Sequence, residues 1–153
     1  MITQRTLIFL ATAGSALTLA MAFGFQHIGG MAPCKLCLWQ RWPHAAAIAI
    51  GAIALALPAR LLCWLGALAA LTTAAFGGYH TGVERGWWEG PATCTSAGTS
   101  GLTSDELFDQ IMAAPVIRCD EVPWELFTLS MASWNMLLSL GLAALWIMAA
   151  RRA

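Results

Sequence analysis

Charge is what this chain has least of. Only 10% of its 153 residues are Asp, Glu, Lys or Arg, against roughly 25% in an ordinary soluble domain. No acid precedes Glu84 and none follows Glu125, so all eight acidic residues share one segment, which must be in water. The formal net charge is zero, which suggests neither nucleic acid nor an acidic substrate as partner. Polar interruptions are scarce too. Hydrophobic residues make up 59% of the chain and fall in runs of about 20, the length of a membrane span. Those runs hold no acids and no broken-helix pattern, which argues against a small-molecule transporter.

Four spans are expected, at about 7–28, 42–57, 61–79 and 129–150. The second is stopped by Pro58 and Arg60, and only "PAR" parts it from the third, so these two form a tight hairpin. The length allows a single integral membrane domain, residues 1–153, an all-α bundle of four transmembrane helices. Arg5 and the Ala20-Met21-Ala22 triplet give the first run a look of a cleavable signal, but the apolar run continues past that site to full spanning length. Arg5, Arg60, Arg151 and Arg152 flank the spans on one side in very short segments. Lys35, Arg41, Arg85 and Arg118 lie on the other, the last two in a long loop that translocates largely regardless of charge. Both termini are therefore expected in the cytoplasm, with loops outside at about 29–41 and 80–128. Trp39, Trp42, Trp87, Trp88 and Trp124 are expected at the outer boundary, and Trp64 and Trp146 toward the inner one, as interfacial anchors.

The long loop changes composition to Gly, Ser, Thr and acids. Thr103 and Glu106 fit a capping box opening a short amphipathic helix with Leu107, Phe108, Ile111 and Met112 on one face. "VPWELFTL" suggests a second short amphipathic piece. Both suit the membrane surface or packing on the bundle.

Five cysteines remain to be explained. Cys34 and Cys37 form a C-x-x-C at the outer boundary; Cys94 and Cys119 lie on the same side, flanking the flexible stretch. Thiols outside the cytoplasm tend to oxidise, and a Cys94–Cys119 bridge would close a sizeable loop. Cys63, near the opposite boundary, is expected to be a small buried apolar residue. Zinc is disfavoured because the second pair is too widely spaced for a structural site. Disulfides that only brace the loop are the plainer alternative, but C-x-x-C closes too small a ring to brace well. It holds two thiols close enough to interchange instead. Cys37 is expected near the start of span two, where exposed N–H groups and the helix dipole favour a thiolate. Arg41, four residues on, shares its face if the helix begins before Pro43. A thiolate beside an arginine at a lipid boundary suits a lipid-soluble electron acceptor, whose growing charge the guanidinium would stabilise.

These residues resemble the bacterial disulfide bond formation protein B (DsbB) family of inner-membrane thiol oxidases. "FQH" closing span one, "PCKLCLWQR", "PATC" and "RCDEVPW" carry the resemblance, which covers nearly the whole chain. It implies a quinone-dependent protein-disulfide-generating oxidoreductase of the inner membrane that keeps the periplasm oxidising. It further implies catalytic Cys34, Cys37, Cys94 and Cys119. Cys94 would form the mixed disulfide with a periplasmic thioredoxin-fold partner (DsbA-like), Cys119 would exchange with Cys34, and Cys37 would face the quinone, ubiquinone or menaquinone. Arg41 and Met131 would bind that quinone. The chain departs from some members where a histidine stands near the quinone: a gap-free comparison puts Arg85 there, with His80 one turn earlier. Two alternatives stand beside this reading: a quinone reductase of the vitamin K epoxide reductase type, whose C-x-x-C belongs near the last span, and a non-catalytic membrane protein with structural disulfides.

Overall fold

The computed structural model describes residues 2–91, 103 and 118–152. Four helices dominate them: α1 (Gln4–His27), α2 (Lys35–Ala56), α3 (Arg60–Glu84) and α4 (Met131–Arg151). Local signals set several of their ends. The Thr3 hydroxyl accepts the Thr6 N–H and caps α1, and Gly30, at φ 66°, turns the chain after it. α3 closes in a Schellman motif, with Trp87 N–H on the Gly82 carbonyl and Gly86 N–H on that of Val83. Gly86 adopts the left-handed φ of 68° that this ending requires. Ser130 caps α4 by accepting the Ser133 N–H at 3.2 Å.

Sequential helices pack on one another and α1 closes the ring against α4. The packing is inverted relative to a soluble bundle. Small residues such as Ala11, Ala47, Ala67, Ala74, Ala132 and Ala143 fill the interior, whereas Phe9, Leu17, Leu61 and Leu68 face outward. Lipid gives helices no hydrophobic reason to associate, so close backbone approach does that work. At Gly66, for example, an added Cβ would lie 2.5 Å from the Trp146 ring.

Three helices, α1, α3 and α4, are long and apolar enough to cross a membrane. The fourth, α2, has 22 residues, about 33 Å at 1.5 Å per residue; Lys35, Gln40, Arg41 and His44 make its first half polar. Several expectations shift. α2 starts at Lys35 rather than near Trp42, carrying Pro43 inside it. α3 continues past Tyr79 to Glu84. "VPWELFTL" is no amphipathic helix: Glu125–Leu126 (β1) and Leu129–Ser130 (β2) pair antiparallel around Phe127 and Thr128, both at positive φ. A turn of that hand matches strand twist, but neither residue type advertises it. Trp146 is fully buried rather than a boundary anchor. The expected helix after Thr103 lies outside the described residues.

Candidate functional site

The first turn of α2 explains why C-x-x-C brings its sulfurs together. Cys34 is the N-cap and Cys37 the third helical residue, the two positions that face each other across a helix start. The Cys37 N–H donates to Cys34 Sγ at 3.2 Å, and the two sulfurs, both free thiols, are 2.8 Å apart. Because α2 begins before Pro43, Arg41 follows Cys37 by one turn on the same face.

Cys119 reaches this spot from the loop before β1. It is buried in one apolar cluster with Cys34, Leu36 and Val83, against which Cys37, Trp39 and Tyr79 pack. Cys119 is disulfide-bonded; Cys94 lies outside the described residues. Arg118 and Asp120 clamp across the Cys119 position, with Nε–Oδ1 at 3.0 Å and Nη2–Oδ2 at 2.5 Å. The guanidinium bond holds the Asp120 carboxyl below the usual carboxylate range, so the clamp is ionised at neutral pH.

Beside the dithiol lies a cavity of about 350 Å³ bounded by α1, α2, α4, His80 of α3 and the segment around Trp124, with Cys37, Arg41, His44, Met131 and Asn135 also in its lining. Arg41 is held from α1: Nη1 donates to Gln26 Oε1 at 2.5 Å, Nη2 to the Ala22 carbonyl at 3.3 Å, and the guanidinium lies 4.9 Å over the Phe23 ring. Its Nε is buried without a partner. A run of side-chain hydrogen bonds crosses the bundle behind the cavity. His44 Nε2 lies 2.9 Å from Asn135 Oδ1, Asn135 Nδ2 donates to Gln40 Oε1 at 2.8 Å, and Gln40 Nε2 lies 2.9 Å from His80 Nδ1. His80 Nε2 then lies 3.6 Å from Cys34 Sγ.

Cys34, Cys37 and His80 offer ligand atoms within 4.8 Å of one another. Two thiolates on a tetrahedral zinc lie about 3.8 Å apart, given Zn–S bonds of about 2.3 Å. The observed 2.8 Å suits sulfurs that exchange with each other better. Arg85 is not in this site; it lies over Trp87, 5.7 Å from the ring centroid. Cys63 is buried in the apolar cluster at the other end of the bundle.

Comparison with known proteins decides the family. The model described as "Disulfide bond formation protein DsbB" matches residues 4–149. The chain belongs to the DsbB family. It is 31% identical over 156 residues to the disulfide bond formation protein B of Stutzerimonas stutzeri (strain A1501), covering 93% of each chain. With that of Herminiimonas arsenicoxydans it shares 38% over 80 residues, 50% of this chain and 51% of that one. An uncharacterized protein of Rickettsia prowazekii, RP370, is 26% identical over 130 residues, 82% of this chain and 76% of that one. No solved structure matches the chain. Membership of the DsbB family makes this a membrane-bound oxidoreductase that acts in disulfide formation.

Sequence inspection passed over Gln40, His44 and Asn135, which line the cavity of this DsbB-family chain, and Gln26, which holds Arg41. Gln26, inside the "FQH" motif, holds Arg41, whereas its neighbour His27 stacks on Phe23. Gln40, His44 and Asn135 form the crossing network. One signal was available: a polar residue in an otherwise apolar helix rarely faces lipid.

Proposed function

We propose that this chain is a protein dithiol:quinone oxidoreductase. In this reading α1–α4 all span the inner membrane, the termini are cytoplasmic, and the cysteine-bearing loops are periplasmic. Its partner is a periplasmic thioredoxin-fold protein, DsbA-like, whose dithiol it reoxidises. Cys94 takes the mixed disulfide with that partner and releases Cys119. The Cys119 thiolate attacks the sulfur of Cys34 in an oxidised Cys34–Cys37 pair; one S–S bond forms, one breaks, and Cys37 leaves as a thiolate. A quinone bound in the cavity would accept the two electrons and two protons that the partner's dithiol loses. Arg41 would hold a carbonyl oxygen of that ring beside the Cys37 sulfur, and Met131 would pack on the ring. The Gln26 bond keeps the guanidinium from turning out to water.

The observation supporting this most directly is that Cys37 and Arg41 line one largely apolar cavity while Cys34 and Cys119 share the adjoining cluster. A vitamin K epoxide reductase-like enzyme or a stapled, inert bundle has no comparable support. Purified protein given ubiquinone or menaquinone and a reduced thioredoxin-fold dithiol protein should form quinol and oxidise the dithiol in equal amounts. Cys37→Ser should abolish quinol formation; full activity in that variant would end the proposal.

A further inference from the structure

His80 occupies a place that the relay above leaves unexplained. It is buried on the last turn but one of α3, and its ring meets the Cys34–Cys37 turn. Its tautomer follows from its neighbours. Gln40 Nε2 donates to the Leu36 carbonyl at 3.2 Å, and Gln40 Oε1 is taken by Asn135. The amide nitrogen therefore faces His80 Nδ1, and an amide nitrogen only donates. His80 Nδ1 accepts, so the ring proton is on Nε2. That nitrogen lies 3.6 Å from Cys34 Sγ and 3.8 Å from Glu84 Oε1. Cys119 is buried in the same cluster as Cys34.

We propose that His80 is a catalytic residue of the exchange between Cys119 and Cys34, its Nε2–H stabilising the thiolate that forms on Cys34. The proposal rests on the relay described above. When a Cys34–Cys119 bridge is resolved, a thiolate attacks Cys119. One S–S bond forms, the bridge breaks, and its bonding pair stays on Cys34, so no outside oxidant is required. The expelled anion then has an N–H donor already aimed at it, locked by Gln40 and Asn135. The titratable groups facing the ring are Cys34 and Cys37 from α2 and Glu84 from α3. Ser130, at the start of α4, hydrogen-bonds Glu84, and α4 itself contributes the neutral Ser133 and Asn135.

The test uses the full chain with Cys37, Cys63 and Cys94 replaced by alanine, leaving Cys34 and Cys119. Bridge formation is titrated with oxidised and reduced glutathione, and the alkylation rate of Cys34 by iodoacetamide is followed from pH 6 to 9. His80→Leu should slow alkylation near neutral pH about tenfold and, because a donor to the thiolate favours the reduced state, make the bridge about tenfold harder to reduce, the size of one lost hydrogen bond to a charged group. Its alkylation profile should move to higher pH. His80→Gln, which keeps an N–H donor, should recover part of both. If the leucine variant does not fold, His80→Asn, whose amide is too short to reach the sulfur, replaces it. Identical profiles with and without the donor would overturn the role of His80 alone. Failure of Cys34 and Cys119 to bridge even with His80 present would overturn the relay, and His80's role with it.

Discussion

Cys34 and Cys63 are both buried thiols in the opening turn of a helix, yet the two ends of the bundle surround them differently. Around Cys63 stand Leu7, Ile8, Ala54, Ala67, Trp146 and Ala149, and Gln4 Nε2 donates to its sulfur at 3.7 Å. Around Cys34 stand a second sulfur, an imidazole and the Cys119 segment. The apolar end supplies dispersion contacts and nothing that moves a proton. The polar end carries a cavity, a guanidinium and a crossing network whose members are costly to bury unpaired. One end holds the helices together so that the other can afford to be imperfectly packed.

Three experiments break or sharpen this contrast. Trp146→Ala should have the largest effect, because it empties the packing of the apolar end: a loss of about 3–5 kcal/mol of stability, read by thermal or denaturant unfolding in detergent. Exchange of the Cys34–Cys37 pair with a small dithiol should stay unchanged; if it falls in step with stability, the two ends are one unit. Arg41→Ala should cost about 1–3 kcal/mol through its lost bonds to α1 and slow quinone-coupled turnover about a hundredfold, as the loss of a preorganised electrostatic partner does. Thiol exchange with the dithiol partner, assayed without quinone, should change far less. Cys63→Ala should do least, costing about 1 kcal/mol or less with no change in turnover. Native protein should also resist maleimide at Cys63 while Cys37 reacts, a difference that mass spectrometry reads directly.

The helical bundle was legible because apolar runs of spanning length have few other fates. The start of α2 was not, since Pro43 reads as a beginning when it is in fact an interior residue. It costs α2 one backbone hydrogen bond, but Cys34 had already capped the helix two turns earlier. The hairpin before α4 was hidden because Phe127 and Thr128 take a conformation usually left to glycine or asparagine. The cysteines and Arg41 stood out by spacing. Gln40, His44, His80 and Asn135 did not, for their contacts span 40 to 95 residues. No local pattern encodes a bond between helices that far apart in sequence.

Cys34 is the cap of α2 and, in the proposed relay, a sulfur that changes partners. Its lone pair receives the Cys37 amide proton, so each oxidation step of that relay would alter the acceptor on which the opening turn depends. Nuclear magnetic resonance of that single amide would therefore act as a reporter, its shift and its exchange with solvent tracking where the electrons stand in the cycle.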